Sequence, residues 1–597
     1  MTIRIGALKG SSWVEFAGVV AAYLLIVFVL CPGNSLVGFP VHRDDFSNLA
    51  FDADSLRAVW SGAYPPRPVS SLALTALSVA GLPVYYFSLH ALVVLYVFLS
   101  MTVLREVLGA RPMPLLFAFL VGAAALSFEC VVEYSKYTGL ITNLLSGVFA
   151  MGAMSLMVAE LKRSRDGTIL RAPAITAIWV LCALSFWSKE DFILPTIVVA
   201  VYLACEARWK SSAERPVQVR WTVLAGGIVL LAMLLGVYNR FGHSAFTQAG
   251  AGPYKADFGP VSVLHMAANY LFMSPVAGMA AALQASTLIW NVLTPTPVRW
   301  MRLLLVQALI VLFALPYCFL PNHIALYYDF NWTVWQIGSA LILLWNLSDR
   351  SAVGWAVAII AVGCVAIGQP GRHNIAEWYR NAGQVNRNVV AALGNNSQIL
   401  RPYRAVVIEG APFLGPFASS GRFLSMRYGL DHDWIVRVPK NSEYLRTTLQ
   451  LLGTNVQGRV RTVAMEDEPR PTGVPVLRLA PDGTGVLDLP GVAIKESDRV
   501  RIGKLHPDST TVGGKFQVQP NGQSALAIEG ANFQPGSIIL FDGREIQTTY
   551  GNPRFITALV PDEFFSHRGV VKVNVLNPNG DVSQKMDFKV LSNADSK

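Results

Sequence analysis

Residues 13–31, WVEFAGVVAAYLLIVFVLC, and residues 40–70, PVHRDDFSNLAFDADSLRAVWSGAYPPRPVS, decide how this chain is read. The first stretch holds a single charge, Glu15, and is close to the ~20 apolar residues with which a helix crosses a hydrocarbon core. Arg4 and Lys9 precede it, no small-residue cleavage site follows, and Leu30 before Cys31 spoils a lipoprotein signal, so it reads as an uncleaved signal anchor. The second stretch is polar and aromatic and contains the consecutive acids Asp44 and Asp45. Joined directly to a span, it is pinned at a bilayer surface, where adjacent carboxylates and a basic residue serve chemistry more readily than solubility.

Runs like the first recur along 597 residues of which 14% are charged, and mean hydropathy is +0.43. That balance belongs to a polytopic α-helical membrane protein. Spans are expected near 13–31, 84–104, 112–127, 138–159, 172–187, 191–206, 221–238, 277–293, 303–320, 331–347 and 352–368, about eleven in all. Two shorter stretches, 68–81 and 261–273, can lie along a membrane face or form further spans. With the N-terminus inside, Lys and Arg of the inner segments, among them Arg105, Lys162, Arg163, Arg171, Arg208 and Arg302, outnumber those of the outer loops about two to one. This orientation places the C-terminal part outside the cytoplasm, periplasmic to a bacterial inner membrane. The net charge of +10 is therefore a topology signal, and nucleic acid is not an expected partner. The six cysteines lie in or beside apolar runs and form neither a disulfide framework nor a CxxC metal site.

The deep interior of the expected spans is almost free of charge, with His90 the main exception, and charges gather at the outer ends. An ion-coupled transporter would place ionisable groups near the midplane and repeat its halves, so a reaction centre at the outer interface is the simpler account. A carboxylate of Asp44 or Asp45 there suits a general base on an acceptor hydroxyl. An ordinary capping pair would look the same. Arg67 before Pro68 suits a phosphate, or merely marks the membrane boundary. Glu129 and Glu133 share a helical face, with Lys136 following; Lys189 and Glu190 sit in a very short turn between apolar runs. Arg240 ends another run. In PNHIALYYDFNW, residues 321–332, the residues His323, Tyr327, Tyr328 and Asp329 read as an interfacial aromatic belt.

Taken in order, HRDDF, RPVS, YFSLH, SFECVVEYSKYTGLITNLL and WSKEDFILP resemble the GT-C superfamily of integral-membrane glycosyltransferases that use polyprenyl-phosphate sugars. The likeness is to the protein O-mannosyltransferase and transmembrane-TPR O-mannosyltransferase branches and covers about residues 13–370. It implies Asp44 or Asp45 beside the acceptor, Arg67 near the donor phosphate, Glu129 or Glu133 as the glutamate after the third span, and Lys189-Glu190 as the Lys-Glu pair. Catalysis would thus fall to Asp44, Asp45, Glu129 and Glu133, donor-phosphate binding to Arg67, Lys189 and Arg240, and support to Lys136, Glu190 and His90. The family's His-Pro pair is replaced by Ser127-Phe128, and TPR repeats are lacking. The implied reaction is inverting transfer of sugar from a polyprenyl-phosphate donor to a hydroxyl of a protein or of an envelope glycan or lipid. No cofactor is required; Asp44 and Asp45 could hold a divalent metal, though no ligand spacing demands one. The rival readings are a flippase for lipid-linked precursors and a non-catalytic assembly protein.

Residues 1–371 are thus expected as the membrane domain and 372–400 as an amphipathic connecting helix. Residues 401–498 read as a small α/β domain, with a strand at RAVVIEG, a helix at SEYLRTTLQLLG and a hairpin turning at Asp482-Gly483. From 499 to 597 short strands alternate with turns as in a β-sandwich. Within it, IEGANFQPGSIILFDG and VNVLNPNGDVS resemble an immunoglobulin-like IPT/TIG domain, a module that spaces domains or binds an acceptor or envelope partner.

Overall fold

The computed structural model describes residues 10–31, 34, 39, 67–165, 170–210, 215–241, 257–293, 300–319, 325–346, 351–410, 415–442, 456–457, 459–468, 471, 474–489, 499–520, 522–577 and 582–592. The chain forms two units that divide between Asn386 and Arg387.

The first unit is helical. Among the described residues seven helices are long and apolar enough to cross a membrane: Ser12–Val29, Leu82–Leu108, Thr138–Arg163, Gln218–Leu235, Pro275–Leu293, Trp300–Cys318 and Val353–Asn395. An eighth crossing is added if Leu115–Ala125 and Cys130–Lys136, bent by 87°, count as one span. The remaining three of the eleven expected spans do form helices, Ala172–Ser188, Ile193–Lys210 and Phe330–Asn346. They fall short of the same test because they are shorter or carry charge at one end. Phe330–Asn346 is buried on every side from Phe330 to Leu343, so it is the bundle's central helix. Peripheral helices instead turn large apolar side chains outward, among them Leu230, Met233, Trp290, Leu304, Val311, Trp355 and Ile359. Such a surface suits hydrocarbon, and the protein is a multi-pass membrane protein. The two short stretches form the helices Pro68–Ala80 and Pro260–Leu271, each opened by a proline in the first turn, where its missing N–H costs nothing.

Five of the basic residues assigned to one side of the membrane form ion pairs at one end of the bundle. Arg105 pairs with Glu15 and Glu106, Lys162 with Glu106, Arg302 with Glu206, and Arg163 and Arg171 both with Glu160. The last expected span and the expected connecting helix are one element, Ser351–Asn395.

In the second unit, β1 (Ala405–Glu409), β2 (Asp433–Val438), β3 (Val456–Gln457), β4 (Val460–Ala464), β5 (Val476–Leu479) and β6 (Gly485–Asp488) form a mixed sheet ordered β3-β4-β2-β1-β5-β6. The four central strands are parallel. The hairpin between β5 and β6 turns at Gly483, whose φ of 81° favours glycine. The expected helix at SEYLRTTLQLLG lies almost wholly outside the described residues. Val389 and Leu393 pack with Val406, Leu424 and Trp434 into this sheet's core.

Nine further strands form two sheets: β7 (Arg501–His506), β8 (Ser509–Thr511), β9 (Ser524–Ala531), β10 (Ile538–Phe541), β11 (Arg544–Ile546), β12 (Thr548–Asn552), β13 (Phe555–Val560), β14 (Gly569–Leu576) and β15 (Met586–Leu591). Their orders are β11-β10-β14-β15-β8 and β12-β13-β9-β7, and both sheets supply one core around Ile528, Phe541, Ile556 and Phe588.

Candidate functional site

At the bundle end opposite the Arg105 and Arg302 pairs, three loops meet because their flanking helices pack. The helix Ala172–Ser188 stops where Lys189 turns extended, and a single 3-10 turn, Glu190–Phe192, starts the next helix. This tight link is fixed from two sides: the Ser70 hydroxyl donates to Ser188 O at 2.7 Å and the Ser146 hydroxyl to Lys189 O at 2.8 Å. Ser70 lies in the first turn of Pro68–Ala80, so Arg67, the residue before that helix, is brought to the same end as Lys189.

Lys189 Nζ lies 2.9 Å from Asp191 Oδ2 and donates to Asn143 Oδ1 at 3.0 Å. The Tyr317 hydroxyl donates to the same Asp191 oxygen at 2.6 Å. Tyr317 and Tyr328 stack at 4.0 Å between ring centroids, and Nζ lies 5.9 and 5.7 Å from them. The lysine is thus a largely buried cation held between a carboxylate and two rings. Its acidic partner is Asp191; Glu190 belongs to the same turn.

The second part is the short helix Cys130–Lys136, laid across the end of Leu115–Ala125 by the 87° bend. Tyr134 donates to Tyr327 O at 3.1 Å, and Tyr327 meets Tyr328 edge to face, which links this helix to the Lys189 cage. Glu129 and Glu133 are half-buried, and with Asp329 they lie near Cys130. Lys136 is buried with its ammonium 5.8 Å above the Tyr86 ring. His90 shares a hydrogen bond of 2.5 Å with the Tyr23 hydroxyl, itself beside Ser135, so it supports the short helix from below. Asp329 is only 2% exposed and accepts from the Thr333 hydroxyl at 3.2 Å. Burial pushes its carboxyl up to about 8, which the Thr333 bond only partly offsets.

Asp44 and Asp45 lie outside the described residues, as does His323. Arg240 falls in the last turn of Arg215–Phe241, on another element. Sequence reasoning passed over Asn143 and Tyr317, counted Asp191 only among the charges at outer span ends, and gave Asp329 no role beyond an aromatic belt. An Asn two residues into a helix and a Tyr at a helix end carry no pattern of their own, whereas the aromatic run with Asp329 was visible and read as a belt. Arg372, read as the start of a connecting helix, is fully buried. Among the described residues no group of three His, Cys, Asp or Glu could hold a metal ion.

No family model matches the chain, and no curated protein matches it. Among solved structures, the Archaeoglobus fulgidus oligosaccharyltransferase in its apo form is similar with a TM-score of 0.39 and 11% identity, over 70% of this chain and 64% of that one. The same enzyme tethered by a disulfide to an acceptor peptide containing the NVT sequon gives a TM-score of 0.39 and 11% identity, over 70% and 63%. The chain therefore spans less than two thirds of those proteins, at a score below that of a shared fold.

Proposed function

We propose that this chain is a GT-C-type membrane glycosyltransferase that takes sugar from a polyprenyl-phosphate donor, on the periplasmic side of a bacterial inner membrane, and passes it to a hydroxyl acceptor. The observation that carries the reading is the Lys189 cage: a buried cation at the bundle end, beside Arg67's helix and joined through Tyr328, Tyr327 and Tyr134 to the short helix Cys130–Lys136. A prenyl-phosphate sugar has its anionic head at that depth and its tail among apolar helix faces. Lys189 and Arg67 are the groups to stabilise the departing phosphate. A carboxylate, Asp44 or Asp45, takes the acceptor proton as its oxygen attacks the anomeric carbon, and one displacement inverts that centre. The IPT/TIG-like sandwich serves as a spacer or acceptor-binding module, and a divalent metal on Asp44 and Asp45 is compatible with the scheme.

The test is sugar transfer from a synthetic polyprenyl-phosphate hexose by purified protein. Lys189→Gln is expected to lose roughly 10²- to 10³-fold in turnover, the usual cost of one stabilising group. One of Asp44→Asn and Asp45→Asn should lose about 10²- to 10⁴-fold. Full activity in both Asp variants refutes the base assignment, and no transfer by the wild type from any donor refutes the reading itself.

A further inference from the structure

The corner between Leu115–Ala125 and Cys130–Lys136 is closed from outside by the last long helix. After Ala125 the chain makes one turn, with Leu126 N–H donating to Gly122 O at 2.9 Å and Ser127 N–H to Ala124 O at 3.1 Å, before it swings away. The Ser127 carbonyl, left at the apex of the bend, accepts from Arg372 Nη1. The other arm of the guanidinium, Nη2, donates to Val365 O at 2.8 Å and Gln369 Oε1 at 2.9 Å. Gln369 in turn donates through Nε2 to Leu30 O, where the first span ends in a π-turn, Leu25–Val29. One helix thus caps the carbonyl ends of two others.

The approach is closer than side chains allow. A Cβ on Gly368 would stand 2.1 Å from Ser127 O, and one on Gly371 would stand 2.2 Å from Glu129 Cδ. The Glu129 carboxyl therefore packs on the bare backbone of Gly371, next to Arg372. Arg372 is 0% exposed, and among the described residues no carboxylate lies within ion-pair distance of it. Its charge acts on Glu129 and on the Cys31 thiol; its Nη donors go to two backbone carbonyls and to Gln369 Oε1, and its buried Nε bonds to nothing among the described residues. A buried cation is costly unless its donors are bonded. Here the return is geometric, because a planar fork can hold the apex carbonyl and its own helix at once where an ammonium cannot.

We infer that Arg372 is a positioning residue for Glu129: with Gly368, Gln369 and Gly371 it fixes the 127–129 corner and so aims that carboxyl. The catalytic consequence rests on the proposed glycosyltransferase reading and on the catalytic role that the sequence resemblance implies for Glu129; the mechanical one does not.

Two measurements separate them. Hydrogen exchange of purified protein, wild type against Arg372→Gln and Arg372→Lys, reads the corner directly. Losing a charge-assisted bond should raise exchange at residues 126–136 roughly 10- to 100-fold while Phe330–Asn346 keeps its protection. Arg372→Lys, which keeps the charge, decides the matter if Arg372→Gln does not fold. Unchanged exchange at the corner, or an increase spread equally over the bundle in Arg372→Lys, overturns the inference. Transfer kinetics then follow, with kcat lowered in Arg372→Lys at constant donor KM, and no further loss when Glu129→Gln is added. Full additivity of the two substitutions overturns the link to Glu129. A wild type without transfer activity but with the expected exchange pattern defeats the proposed function alone.

Discussion

Asp329 illustrates how much one buried carboxyl can set. Its neutral form is favoured in the fold, since burial raises it to about 8, against about 3.9 for an exposed Asp. The unfolded chain binds fewer protons than the folded one between those values, so folding stability falls as pH rises from about 4 to about 8 and then levels off. Thermal unfolding in detergent across that range should show this decline, at most about 1.4 kcal/mol per pH unit. Asp329→Asn should flatten it; an unchanged slope would mean that Asp329 is ionised in the fold. At neutral pH the same carboxyl keeps a proton to donate beside the Lys189 cage. The side chains that matter most at this scale are those whose role depends on a partner distant in sequence. Lys189 was readable as a cation close to lipid, with Asp191 two residues on, but that Asn143 and Tyr317 would complete its surroundings was not, because they come from two other helices.

Among the elements, Phe330–Asn346 carries the packing of the bundle. Trp335 on it is 0% exposed, whereas Trp355 on the outer side of Ser351–Asn395 is 71% exposed. Trp335→Ala should cost about 3–5 kcal/mol, as large core truncations do. Trp355→Ala should stay within about 0.5 kcal/mol, as for a surface substitution. Comparable losses in the two would contradict the assignment of buried and outward faces. Helix positions were legible in the sequence because apolar run length and prolines in first turns are local signals. The bend at Ser127–Glu129 was not: no Pro or Gly marks it, and its apex is satisfied by Arg372, 245 positions away. Nor was the continuity of Ser351–Asn395, since an apolar run ending near 368 and an amphipathic stretch from 372 read as two elements.

At the scale of the molecule, the described residues form three hydrophobic cores: the helical bundle, the mixed sheet and the paired sheets. Among the described residues, the paired sheets draw their buried core residues from Val500 to Val590. A fragment of residues 499–597 should therefore fold alone and melt cooperatively by circular dichroism, and Phe588→Ala should lower its stability by about 3–5 kcal/mol. A fragment that stays unfolded would show that this core depends on the rest of the chain. Strand spacing announced these sheets, and the DG turn announced the β5–β6 hairpin. The parallel pairing of β4, β2, β1 and β5 was hidden, because crossover order leaves no trace in a single strand.

The bond between Arg372 and Ser127 also has a consequence for how the protein is made. Ser127 and Leu30 leave the ribosome long before Arg372 and Gln369 exist, so the Ser127 carbonyl waits through 245 residues of synthesis and the Leu30 carbonyl through 339 for their final donors. The corner that aims Glu129 closes only when the last membrane helix arrives. A chain made only as far as Ser351 thus holds the parts of the corner without its shape.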